Sequence, residues 1–159
     1  MNEKIQIKIA TKENISEISS LFYNTIQNIN IKDYSREKVD CWTAKAFDKE
    51  KWSDKIKNQY FLLAMLDEKV VGFSSLEKDG YLDYLFVHKD YQRQGIASKL
   101  MTSILDKANE QKNIFIYSDV SITAKDFFLN NGFLVEKEQR KNLENLYLTN
   151  YKMVKDLKK

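Results

Sequence analysis

The chain has 159 residues, a length suited to one hydrophobic core rather than two. Hydrophobic residues make up 43% and aromatics 13%, which excludes long disorder, and no apolar run reaches the roughly 20 residues of a membrane helix. The net charge of +3 comes from lysines interleaved with acids, which argues against a nucleic-acid face, and the single Cys41 and single His88 exclude disulfides and Cys/His metal clusters.

Ile5, Ile7 and Ile9 alternate with polar residues, predicting a strand over 4–10. The same segment lacks the apolar stretch of a leader, so a cytoplasmic protein is expected. Thr11 can cap a helix carrying Ile15, Ile18, Leu21, Phe22 and Ile26 at helical spacing. Residues 29–34 read as a connection. Ser35 caps a second helix with Val39, Trp42 and Ala46 on one face, and a short helical piece follows over 51–57. Three apolar runs, 60–66, 70–76 and 81–87, are separated by the short turns 67–69 and 78–80, the pattern of an antiparallel meander. A long amphipathic helix over 96–108 comes next, then a strand over 114–120 and a short helix over 124–129 that ends at Asn131-Gly132. The tail, 133–138 and 146–153, reads as a closing hairpin. The whole predicts one α+β (mixed α/β) domain over 1–159, with a mostly antiparallel twisted central sheet and about four helices.

The segment 86–100 stands apart. A buried strand runs out, a polar loop turns at Gly95, and a helix begins with the small residues Ala97 and Ser98. Successive backbone N–H groups are thereby left unshielded at the positive end of a helix dipole, a cradle for a pyrophosphate. Arg93 and Lys99 add charge. The loop has neither the second Gly with Lys-Ser/Thr of a nucleotide P-loop nor the three glycines of a dinucleotide fingerprint.

The pattern Gln92-x-x-Gly95-x-Ala97 after a strand resembles the acyl-CoA loop of the GNAT superfamily of N-acetyltransferases. Ala124-x-x-Phe127-Phe128-x-x-x-Gly132-Phe133 resembles the second signature of that superfamily, and the element order fits along essentially the whole chain. Residues 30–35, Val39-x-x-Trp42 and residues 150–153 further resemble a small bacterial subgroup whose members mostly have no assigned substrate.

The resemblance implies a sheet splayed at its middle. Backbone groups of Leu85, Phe86 and Val87 would then pair with the pantetheine arm of acetyl-CoA, and a strand N–H could hold the thioester oxygen. Gln92 and residues 93–98 would hold the pyrophosphate. Ser121 falls where the family often has an Asn on the pantetheine arm. Phe127 and Phe128 would line the channel, with core packing as the equal alternative. Phe128 occupies the place of the family's Tyr acid and has no proton to give. The implied reaction is direct acyl transfer to a small-molecule or peptide amine, without metal, nucleic acid or membrane, by a monomer or homodimer. Asp83 and Asp119 are the candidate bases and Tyr117 and Tyr81 the candidate proton donors; each carboxylate could instead be a plain surface group. His88 reads as a strand-end loop residue rather than a base. Tyr34 and Trp42 would cover the acceptor, or simply pack the core. A non-catalytic acyl-CoA-binding module is the alternative.

Overall fold

The structure, a computed structural model, describes residues 4–157. The first three and last two residues fall outside it, and with them both ends of the expected 1–159 domain. The strands are β1 (Ile5–Ile9), β2 (Tyr60–Leu66), β3 (Lys69–Leu76), β4 (Leu82–Val87), β5 (Phe115–Ser121), β6 (Leu134–Leu143) and β7 (Leu146–Asp156). The helices are α1 (Ile15–Asn28), α2 (Arg36–Trp42), α3 (Lys49–Asn58), α4 (Ile96–Glu110) and α5 (Lys125–Asn130). Five helices thus stand among the described residues where about four were expected, with two short 3-10 turns at Lys12–Asn14 and Asn30–Lys32.

Local sequence explains the starts. Thr11 accepts from the Glu13 N–H and forms a capping box with Asn14. Ser35 caps α2 by accepting from the Lys38 N–H. Asp48 accepts from the Lys51 N–H, so α3 begins two residues earlier than the apolar spacing suggested. The closing hairpin is longer than expected because β6 and β7 keep pairing to Leu143 and Leu146 through a tight turn.

The strands form two antiparallel groups, β1-β2-β3-β4 and β5-β7-β6. One parallel bridge, Tyr81 to Tyr117, joins them. Alternation along β2 splits its side chains between two cores. Phe61, Leu63 and Met65 face α1, α2 and α3, while Leu62 and Ala64 face α4. On the first face Phe22 meets Trp52 edge-on at 5.3 Å and Phe86 at 5.1 Å, and Phe61 stacks on Phe73 at 5.6 Å. On the second, Ile96, Leu100, Met101, Ile104 and Ala108 lay α4 against β3.

Gly72 on β3 allows that contact. A Cβ there would stand 2.9 Å from Ile96 Cγ2, 3.1 Å from Leu100 Cδ1 and 3.1 Å from the Phe86 carbonyl oxygen. Gly72→Ala is expected to push α4 off the sheet and cost about 1–3 kcal/mol of stability, the usual cost of overpacking. Thermal denaturation of the variant measures it.

Candidate active site

β4 and β5 run side by side, and among the described residues their one backbone bridge is Tyr81, just ahead of β4, to Tyr117; there the Tyr117 N–H donates to the Gly80 oxygen at 3.0 Å, and next to it the Ser118 hydroxyl donates to the Leu82 oxygen at 2.6 Å. Beyond that point the strands part. A cleft of about 1000 Å³ opens between them, lined by residues 81–87 on one side and 118–121 on the other.

The parity of β4 decides what faces the gap. The His88 N–H donates to the Val71 oxygen at 2.8 Å, and the register runs Gly72 to Val87, Phe73 to Phe86 and Ser74 to Leu85. Hydrogen-bonded pairs alternate in an antiparallel ladder. Phe86 and Tyr84 therefore bond to β3, and the backbone groups of Leu85 and Val87 turn toward β5. The Val87 oxygen accepts from the Thr25 hydroxyl at 2.9 Å and the Gln92 side chain at 2.8 Å. Gln92 thus fastens the loop to the strand end.

An irregularity at Ser75/Leu76 leaves Asp83 without a partner residue on β3. The bulge aims Asp83 at α3, where it accepts from Lys55 and from Gln59, each at 2.8 Å.

The loop ends at Gly95, which caps α4 with φ of 81° and no side-chain cap hydrogen bond. Lys99 N–H donates to the Gly95 oxygen, so the Ile96, Ala97 and Ser98 amides are the uncapped donors. Arg93 also takes a left-handed backbone, φ 60°. Two left-handed residues around Gln94 turn successive amides to one side, the geometry of an anion nest. A Cβ built on Gly95 meets nothing within 4 Å, so the space before the amides is open.

The cleft gathers most of the expected residues: Leu85, Phe86, Val87, Gln92, Arg93, Gly95, Ile96, Ala97, Ser98, Ser121, Phe127 and Phe128, with Asp83, Asp119, Tyr34 and Trp42. Three expectations on position need correction. Gln94 lies outside the cleft wall. Lys99 reaches back to the Ile5 oxygen on β1 instead of charging the cradle. Tyr117 sits at the closed end of the gap, outside the wall, with its hydroxyl donating to Asp79 at 2.6 Å, and that hydrogen bond lifts its pKa to about 12.

Asp119, two residues along the same face of β5, does reach the cleft; its oxygens accept from the Tyr81 hydroxyl at 3.1 Å and from Gln139 at 2.6 Å. Burial and the Asp119 charge hold Tyr81 protonated well above the usual phenol range. Ser121 accepts from the Ala124 N–H at 3.1 Å. Phe128 is 3% exposed and packs edge-on against Phe133 at 4.9 Å. His88 accepts from the Asp90 N–H at 3.1 Å, and burial lowers its pKa. Among the described residues no cluster of three or more His, Cys, Asp or Glu could hold a metal ion. No helix among them is long and apolar enough to cross a membrane.

Sequence reasoning missed Thr25, Lys51 and Asn150 on this wall. A polar residue on an amphipathic helix or hairpin carries no local signal that its tip enters a cleft.

The description of a GNAT acetyltransferase domain fits residues 30–155. The chain belongs to the GNAT family of N-acetyltransferases. It is 29% identical over 149 residues to the uncharacterized N-acetyltransferase YafP of Escherichia coli K12, covering 94% of each chain. A GCN5-related N-acetyltransferase from Rhodopseudomonas palustris superposes with a TM-score of 0.93 at 25% identity over 99% of both chains. The fold is also that of a PaiA N-acetyltransferase from Thermoplasma acidophilum in complex with coenzyme A, at TM-score 0.81 and 19% identity, covering 96% of this chain and 99% of that one.

One side of the cleft is tied by a phenol. Tyr34 donates to the Thr149 oxygen and accepts from the Ile122 N–H, both at 2.8 Å, and its ring meets Trp42 at 5.5 Å. Burial raises its pKa to about 12. An unfolded Tyr ionises near 10, so this group's stabilisation is complete below pH 10 and is lost as pH rises toward 12. Tyr34→Phe is expected to cost about 1–3 kcal/mol through two orphaned backbone groups. Denaturant melts across pH 8–12 should show a shallower alkaline decline in the variant.

Proposed function

We propose that the protein transfers an acetyl group from acetyl-CoA to a primary amine by direct attack, within a single domain. One observation carries this reading: an uncapped, glycine-led helix start lies beside a gap where two strands fail to pair. Relatives of the same fold carry coenzyme A or acetyl-CoA, which supports the choice of donor.

The residues fit such a donor. The Ile96, Ala97 and Ser98 amides and Arg93 would hold its phosphates, with open space at Gly95 to admit them. The backbone groups of Leu85 and the Val87 N–H would pair with its extended arm, and a gap-facing N–H would take the charge that develops on the carbonyl oxygen. When bound, the thioester supplies an electrophilic carbonyl carbon and a thiolate leaving group.

Asp119 is the better-placed base. It is exposed, and water can pass an amine proton to it. Asp83 is occupied by Lys55 and Gln59 and acts as a brace. Phe128 offers no proton, and none is required, because thiols near pKa 8.5 can depart as thiolates around neutral pH.

Gly95→Trp is expected to abolish the CoA-induced rise in Tm, since the indole would occupy the phosphate position; a retained shift would sink the assignment of the loop. Free-thiol release from acetyl-CoA across an amine panel tests turnover, and tight CoA binding with no amine-dependent release would mark a binding module instead. Asp119→Asn should lower kcat by about 100-fold or more while leaving the CoA-induced shift intact.

A further inference from the structure

Lys51 on α3 lines the cleft, on the face opposite α4. It is half-buried, and its ammonium rests 4.6 Å from the Trp52 ring centre and 5.2 Å from that of Phe22. No carboxylate among the described residues lies within ion-pair distance of it. Burial lowers its pKa, which means that the protein holds this charge at a cost.

The acids of the same wall are already engaged. Asp40 accepts from Gln27 and pairs with Arg36, Asp83 pairs with Lys55, and Asp119 accepts from Tyr81 and Gln139. Glu144 remains, exposed at the β6–β7 turn. The buried surplus of the acceptor face is therefore positive. A purely cationic amine would enter against that ammonium. An amine that also bears an anion would neutralise it.

A second group asks for a donor on the acceptor, separately from the anion. Asn150 on β7 lines the cleft, is 8% exposed, and its carboxamide oxygen has no hydrogen-bond partner. A buried amide left unsatisfied is costly, and an acceptor with its own N–H donors would satisfy it. Phe22, Trp42, Tyr84 and Phe86 line the same cleft with aromatic surface.

We propose that the acceptor amine carries an anionic group, a carboxylate or a phosphate, which seats on the Lys51 ammonium, with an apolar body against the aromatic wall. An amino acid has this chemistry and a polyamine does not. The inference rests on the acetyl-transfer reading above, and the test separates the two.

Binding to the full-length protein is measured by calorimetry, with and without saturating CoA, for pairs that differ only in the anion. The pairs are L-phenylalanine against phenethylamine, L-tryptophan against tryptamine, and O-phosphoethanolamine against ethanolamine, with spermidine alongside. At least one anion-bearing member should bind tenfold or more tightly than its partner and than spermidine. The third pair tells phosphate from carboxylate. Lys51→Met should erase that preference and keep a Tm no lower than the parent's, because it removes a buried unpaired charge; Lys51→Arg should retain the preference. Equal or tighter binding of the anion-free amines, no binding by any anion-bearing member, or a preference that survives Lys51→Met overturns the proposal. Absence of any CoA-induced Tm shift in the parent protein would instead sink the acetyl-transfer reading.

Discussion

Two neighbouring strands touch at one bridge and then diverge. That single contact, Tyr81 against Tyr117, sets where the cleft begins and which backbone groups it exposes. Gly80 makes the contact close: a Cβ there would stand 2.6 Å from the Phe115 oxygen. Were β4 and β5 zipped along their length, the backbone groups of Leu85 would bond to protein instead of facing a slot, and the glycine start of α4 would have nothing beside it to receive. The chemistry of the site is thus a consequence of hydrogen bonds the sheet leaves unmade.

The two cores make that omission stable. α1 and α3 cover one face of the β1–β4 group with a close aromatic cluster, and α4 covers the other through the hollow left by Gly72. The second of these cores also takes in Ile116 and Val120 of β5 and Met153 of β7, so buried side chains join the two strand groups where backbone pairing is missing. The cleft then holds three kinds of surface in order: open amides at Gly95, bare strand edges beside Leu85, and an aromatic chamber with one unmatched ammonium at Lys51.

Much of this was legible in the sequence, for physical reasons. Apolar alternation and helical spacing marked every strand and helix, because one-sided burial writes itself into residue order. Gly95 with Ala97 and Ser98 marked the uncapped helix start, because only small residues leave amides bare. Side-chain destinations were less legible. Lys99 resembles Arg93 in the sequence, yet α4 turns it onto β1. Tyr117 and Asp119 share a face of β5, but only the second lies past the point where the strands separate. The bulge at Asp83 left no mark at all, since any residue can occupy it. Lys51 was one lysine among many until its neighbours showed no carboxylate within ion-pair distance among the described residues.

Tyr34 gives the cleft one further property. It belongs to the stretch joining α1 to α2, whose packing is on the first strand group, yet its hydroxyl grips the end of β5 and a carbonyl of β7 in the second. The same stretch is stitched again by Thr123 donating to Asp33 at 2.8 Å. The two strand groups are therefore tied at one end by a backbone bridge and at the other by a phenol, besides the core they share. A guest in the slot thus meets a wall whose spacing is fixed in part by a side chain outside the strands that form it.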